Sequence, residues 1–435
     1  MNQPNPVALD EATIIRSLQA YREASAAGRI AESEQLLVRV AERAPGHPAV
    51  LNELGVLLMG RSEYEKAYSL FSRSAQTDPG RAQVWSNLAG SLRMLGRRQE
   101  EREALERALS VEPRHLASLL QKASLLEDLG DTRNAARAYQ NALLTIPPDA
   151  VAPSTVQEML KHAKEVVAAD QLALSAALEE RLAEIRVRHG GKTQSRVDKC
   201  LEMLSGRRSA YFPRPTFMYF PEIPALEFFE RGDFPWLDAV EAATDDIRAE
   251  LTNVLIADRA GLQPYIDYPA GLPIDQWKEL NHSRRWSAYF LWNQGKPEPA
   301  HIARCPRTMA ALTHVPRCEV AARAPTVFFS ILDPATKIPP HTGVTNTRVT
   351  VHLPLIIPPD CGFRVGGTTR EFEVGKAWVF DDTIEHEVWN NSDAPRAILI
   401  FDIWNPFLSE AERDMVRAAT EVVGSYYQPP AEVSP

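Results

Sequence analysis

Along the first third of the chain, small and apolar residues recur at helical spacing, and the whole pattern then repeats. Pro45, Pro79, Pro113 and Pro147 stand 34 residues apart. Counted back from each proline, the same rows return: Ala20, Leu54 and Leu88; Leu37, Phe71, Leu105 and Tyr139; Val40, Ser74, Ala108 and Ala142. Leu54-Gly55 and Leu88-Ala89 fall at a small-residue pair of the period. Gly28, Gly96 and Gly130 share one position of it, the turn between two helices, where glycine accepts positive φ without strain. Each closing proline ends a helix, because it has no N–H to donate and its ring clashes with the preceding turn. One position departs from the pattern: Glu101 stands where a small residue is expected.

This period resembles the tetratricopeptide repeat, and four units cover residues 14–147. One unit cannot bury its apolar face, so the units must stack into an α-solenoid. The Leu-, Ala- and Glu-rich stretch from Val156 to Arg188 predicts capping helices, so residues 148–190 are expected to cap and link. Such an array either scaffolds or offers a concave groove to a peptide or protein partner.

After His189-Gly190-Gly191 prolines and aromatics become frequent. Phe234-Pro235-Trp236 leads into a predicted helix, Leu237 to Leu255. From Thr326 onward the period is two. Strands are predicted at Val327–Leu332, Arg348–Leu353, Gly362–Val365, Thr369–Glu373, Ala377–Phe380, Glu387–Asn390 and Ala397–Ile403, mostly separated by Pro, Gly, Asn or Asp. Short strands at this spacing suggest an antiparallel jelly roll over residues 191–424. The fold class is therefore multidomain α + β, a helical solenoid followed by a β-sandwich. A last helix runs from Ser409 to Val423, with Ser409 and Glu412 placed as a capping box.

Composition changes this picture little. Hydrophobic residues are 44% and charged residues 24%, as in ordinary globular proteins. A net charge of −9 argues against nucleic acid as a partner, whose usual footprint is a basic face. The first residues show no basic start followed by an apolar run, and no stretch has the length of a membrane helix. No membrane partner is expected, and the expected location is cytoplasmic. The four cysteines, Cys200, Cys305, Cys318 and Cys361, lack C-x-x-C spacing and read as reduced thiols.

Two histidines of the β-region have informative surroundings. His341 follows Pro339-Pro340 and opens His341-Thr342-Gly343; His386 lies within Asp381-Asp382-Thr383-Ile384-Glu385-His386-Glu387-Val388-Trp389. Imidazoles on neighbouring strands can share one metal ion. Non-haem iron oxygenases add a carboxylate, usually two residues after the first histidine, but that position is Gly343.

The segments His341–Arg348 and Phe380–Trp389, with Phe234-Pro235-Trp236 and Phe401-Asp402-Ile403-Trp404-Asn405-Pro406, resemble the aspartyl/asparaginyl β-hydroxylase family over most of residues 210–415. That resemblance implies an iron(II)- and 2-oxoglutarate-dependent dioxygenase, using O2, that hydroxylates the β-carbon of Asp or Asn in a peptide or protein. In that family two histidines are the only protein ligands, so Gly343 fits it. The resemblance implies that His341 and His386 hold the iron. Arg396 and Ser330 match the groups that grip the distal carboxylate of 2-oxoglutarate, and His352 matches a histidine near the site's carboxylates. Arg348 matches the first of two arginines on its strand; Thr350 stands where the second is usual, which makes an uncharged target more plausible. Asp381 and Asp382 read as turn or outer groups that orient a ligand. No catalytic residue is expected beyond the metal centre. Ligand imidazoles must be neutral, so activity is expected to fall below about pH 6.5, the ordinary histidine value. Other readings are the same chemistry on a lipid acyl chain, small peptide or free amino acid, a zinc-dependent cupin-like enzyme, and a non-catalytic repeat-based interaction protein.

Overall fold

A computed structural model describes residues 9–147, 154–189 and 195–426. The chain divides into two units, Met1–Arg207 and Arg208–Pro435. The expected break at Gly190-Gly191 lies outside the described residues.

In the first unit eight helices follow in pairs: α1 Glu11–Ala26 with α2 Ile30–Arg43, α3 Pro48–Gly60 with α4 Tyr64–Thr77, α5 Ala82–Met94 with α6 Arg98–Val111, and α7 Leu116–Asp128 with α8 Thr132–Leu143. A long helix, α9 Ser154–Arg188, packs on α8, and α10 Ser195–Leu204 follows. The expected capping segment is thus one continuous helix. The repeated rows are the buried ones: Leu37, Phe71, Leu105 and Tyr139 all lie inside.

Glu101 belongs to a row otherwise made of Ser33, Ala67 and Ala135, all buried. Its side chain is 1% exposed and is held by Arg98 at 3.1 Å and Arg93 at 3.8 Å. Both arginines also reach Asp128 of the next repeat, at 3.1 and 2.8 Å. The departure from the repeat therefore serves a charge network that ties neighbouring repeats together.

The inter-helix turns are left-handed at Gly28 (φ 73°), Gly96 (φ 71°) and Gly130 (φ 77°). In the second repeat Ser62 takes the same place with φ 60°. A non-glycine residue in this region costs roughly 1–2 kcal/mol. Ser62→Gly is expected to stabilise the repeats by about 1 kcal/mol, part of the relief being lost to glycine's freer unfolded chain. Urea unfolding of the two proteins side by side measures it.

Among the described residues the second unit carries eleven strands: β1 Gln263–Pro264, β2 Trp286–Asn293, β3 Lys296–Pro297, β4 Val327–Leu332, β5 Thr336–His341, β6 Arg348–Ile356, β7 Cys361–Val365, β8 Thr368–Glu371, β9 Trp378–Phe380, β10 His386–Asn390 and β11 Arg396–Trp404. They form two antiparallel sheets. The larger runs β1-β2-β4-β11-β6-β9, with β3 also on β2, and the smaller runs β5-β10-β7-β8. All seven expected strands are present. The expectation lacked β2, whose first six residues are all buried and so show no alternation. It also lacked β5, which contains Pro339 and Pro340. As an edge strand β5 tolerates them, and its register with β10 shifts there.

Between the sheets lies a core of Trp286, Leu332, Ile338, Phe363, Trp378, Phe380 and Val388. The outer face of the larger sheet, with Phe329, Val351, Leu399 and Phe401, packs on α11 Leu237–Ala242 and α12 Thr244–Ala257 through Leu237, Val240, Ile247 and Leu251. The helix expected at Leu237–Leu255 is these two, separated at Ala243. Short helices α13 Pro299–Ile302 and α14 Pro306–Ala311 follow, and α15 Glu410–Tyr426 ends the unit. Its capping box forms: Glu412 accepts from the Ser409 N–H and hydroxyl, each at 2.7 Å. Among the described residues no helix is long and apolar enough to cross a membrane.

Candidate active site

The register of β5 and β10 sets His341 directly opposite His386. Their ring centroids are 4.0 Å apart. The His341 Nδ1 lies 2.8 Å from the Pro339 carbonyl, and the His386 Nδ1 lies 3.0 Å from the Ile384 carbonyl. A carbonyl only accepts, so both Nδ1 atoms carry hydrogen and both Nε2 atoms keep a lone pair. Burial favours the same neutral form: it pushes His341 down to about 4 and His386 well below the usual imidazole range. Two neutral, oriented imidazoles are suited to hold one divalent metal ion. Among the described residues no third His, Cys, Asp or Glu completes a ligand cluster with them.

Gly343 explains part of this. A Cβ there would stand 2.3 Å from the carboxyl carbon of Asp382, so any side chain at 343 would have to displace that carboxylate. Asp382 itself lines the cavity; burial pushes its carboxyl up to about 7, and its Oδ1 has no hydrogen-bond partner among the described residues. Asp381 serves the turn, accepting the Thr383 N–H at 2.9 Å and its hydroxyl at 2.6 Å.

A cavity of about 250 Å³ gathers His341, His386, Ser330, Arg348, His352 and Arg396. Arg396 is 1% exposed. Its Nε and Nη1 have no partner among the described residues, and its guanidinium lies 4.8 Å over the Phe372 ring. Burial pushes it down to about 10, which still leaves it a cation at neutral pH. The effective penalty for burying an ion is several kcal/mol, and no carboxylate here offsets it. Such a group is a standing receptor for an anion, and its planar fork matches a carboxylate. Nearby, Ser330 is buried and accepts the Trp286 indole N–H at 3.1 Å. His352 is buried with its Nδ1 unpartnered, and burial with the nearby Arg396 holds it well below the usual imidazole range. The donors present therefore fit both a metal ion and a dicarboxylate.

Arg348 differs. It is ion-paired with Asp402, whose other oxygen accepts the Thr326 N–H at 3.1 Å. Thr350 lines the same cavity and slightly offsets the rise of the Asp382 carboxyl. The sequence reading omitted Asp402 as a site residue, and also the aromatic walls: Trp277, 5.0 Å from the His341 ring, Trp286, Tyr265 and Tyr268. Tyr265 and Tyr268 precede the first long strand in an irregular segment, where no local pattern signals a site.

Residues 241–406 match the family described as aspartyl/asparaginyl beta-hydroxylase, and residues 24–90 match the tetratricopeptide repeat. The chain carries an aspartyl/asparaginyl β-hydroxylase domain behind tetratricopeptide repeats. Both site histidines and Arg396 fall inside the matched hydroxylase region. The mouse protein named aspartyl/asparaginyl beta-hydroxylase is 34% identical over 181 residues, 41% of this chain and 24% of the mouse one. The Rhizobium tropici ornithine lipid ester-linked acyl 2-hydroxylase is 32% identical over 186 residues, 42% of this chain and 62% of that one. Xenopus tropicalis aspartate beta-hydroxylase domain-containing protein 2 is 28% identical over 248 residues, 55% of this chain and 64% of that one. The chain thus spans less than two thirds of the length of each of these relatives. Among solved structures, the tetratricopeptide domain of Arabidopsis OM64 aligns at 18% identity with a TM-score of 0.24, covering 27% of this chain and 94% of its own.

Proposed function

We propose that the hydroxylase domain is an iron(II)- and 2-oxoglutarate-dependent dioxygenase that hydroxylates the β-carbon of an Asp or Asn residue in a peptide or protein. The observation that carries this reading is the buried Arg396, whose Nε and Nη1 have no hydrogen-bond partner among the described residues, in the same cavity as two facing imidazoles. His341 and His386 would hold the iron. Arg396 and Ser330 would take the distal carboxylate of 2-oxoglutarate, and His352 would stand beside its other end. The two sheets are then the double-stranded β-helix of an oxygenase. Bound together, iron and 2-oxoglutarate supply the oxidising chemistry; the chain orients the imidazoles, fixes the dicarboxylate and keeps water away with Trp277, Trp286 and Phe380. The repeats, by the same reading, bind a peptide or protein.

One observation favours a second reading of the substrate: a relative of 32% identity is named as an acyl 2-hydroxylase of an ornithine lipid. A single assay separates the two. Purified protein with iron(II), ascorbate and 2-oxoglutarate is supplied with a peptide library or with acyl-chain substrates, and succinate and oxygen-bearing product are measured. Succinate coupled to a hydroxylated peptide supports the proposal. Coupling only to the acyl substrate moves the target, and no succinate under either condition rejects the chemistry.

A further inference from the structure

A second cavity, of about 510 Å³, adjoins the first, and Tyr265, Tyr268, Val344 and Arg348 line both. Among the described residues its charged lining is Arg323, Arg348 and Asp267. Two of the three are engaged, Arg348 with Asp402 and Asp267 with His282, the latter at 2.5 Å. The Arg323 guanidinium has no ion pair or hydrogen bond among the described residues. It lies 4.7 Å over the Phe217 ring.

An unpaired arginine is ordinary where water serves it. This one differs in how firmly its base and its platform are held. The Arg323 N–H donates to the Val320 carbonyl at 3.0 Å, and its neighbour Ala324 donates to the same oxygen at 2.8 Å. Val320 and Ala324 are both buried. The Arg323 carbonyl accepts from Arg348 Nη1 at 3.5 Å, so its loop is tied to the wall that the two cavities share. Phe217 is tied to that wall as well: its N–H donates to the Val344 carbonyl at 2.9 Å. An aromatic ring under one face of a guanidinium fixes its plane and leaves the N–H groups at its edge free. Two parallel N–H groups on that edge match the two oxygens of a carboxylate.

Resting on the proposed reading of a peptide or protein substrate, we propose that Arg323, on its Phe217 platform, binds the side-chain carboxylate of an Asp or Glu that flanks the hydroxylated residue. The target residue then sits with the histidines in the smaller cavity, and its acidic neighbour in the larger one. Arg323 reads the neighbour and takes no part in the chemistry.

The test uses the full chain with iron(II), ascorbate and 2-oxoglutarate at low ionic strength. Peptides with a central Asn or Asp carry Glu, Gln or Lys at each flanking position in turn. Their C-termini are amidated, so that the carboxylate being tested is a side chain and not a chain end. Gain of one oxygen is read by mass spectrometry, with succinate measured in parallel. At one flanking position Glu is expected to raise kcat/KM about fivefold over Gln, the upper end for an exposed ion pair, and Lys to lower it. Added salt is expected to shrink the preference, because exposed charges are screened. Arg323→Gln is expected to erase it, and Arg323→Glu to reverse it in favour of Lys. Equal turnover of the Glu and Gln peptides by the wild type at every position would overturn the inference. So would a Glu preference that survives Arg323→Gln. Succinate formed with product from no peptide would overturn it too, although the dioxygenase chemistry would then stand. Absence of succinate altogether would remove both.

Discussion

Arg396→Met is expected to weaken the response to 2-oxoglutarate by orders of magnitude while leaving the fold as stable as before or more so. The two effects have opposite signs because they come from one fact. In the free protein the guanidinium is buried, and no carboxylate among the described residues offsets its lost hydration. Replacing buried charge by apolar volume is often worth about 1–4 kcal/mol of stability. With the dicarboxylate bound, the same guanidinium is half of a buried ion pair, and truncating one partner costs about 2–5 kcal/mol. At tenfold per 1.4 kcal/mol, the KM for 2-oxoglutarate should rise by roughly one and a half to three and a half orders of magnitude. Steady-state kinetics in 2-oxoglutarate and thermal unfolding, run on the same preparation, check both halves. A variant that loses stability and keeps its KM would mean that Arg396 is an ordinary structural residue.

Alanine at His341 or His386 is expected to bring hydroxylation to background. Weakening even an outer partner of a ligand costs about 10- to 100-fold in metal affinity or activity, and on the proposed reading removing one of the two imidazoles that hold the iron costs more. Because Nε2 is the free atom of each ring, His386→Gln, which keeps polarity but not imidazole, should fail equally. Iron content after desalting, measured beside activity, shows whether the loss is one of metal binding.

The pH dependence follows from the same rings. Their pKa values are lowered in the fold, so the ligand form is lost only as pH falls through those lowered values, about 4 for His341. The acid limb expected from the sequence, near pH 6.5, moves down accordingly. The fold meanwhile loses stability as pH drops below about 6.5, because unfolded histidines take up protons that the buried ones refuse.

The helical half was legible because its information is local and repeated. Rows 34 residues apart became buried rows, and the prolines ended helices. What escaped was also physical. Ser62 occupies a left-handed turn that three glycines take elsewhere, and nothing in its neighbours announces that φ. Glu101 read as a misfit until Arg93, Arg98 and Asp128 from two repeats converged on it. In the second unit, strands with one covered face showed their alternation. Buried β2 and proline-bearing β5 did not, and β5 delivers His341. The pairing of that histidine with His386 is a matter of register across 45 residues, which periodicity cannot give. The resemblance of short segments pointed to both. Asp402 lay within one of those segments, yet its hold on Arg348 depends on β11 and β6 lying side by side.

The central claim is that two imidazoles and one guanidinium hold iron(II) and 2-oxoglutarate together. Anaerobic titration tests it most directly: metal-free protein receives iron(II), then 2-oxoglutarate, and the visible spectrum is followed. The account predicts a metal-to-ligand charge-transfer band that grows to one equivalent of each, is absent in His386→Ala, and needs far more 2-oxoglutarate in Arg396→Met. No band in the wild type at saturating iron(II) and 2-oxoglutarate, or the same band in all three proteins, would contradict it.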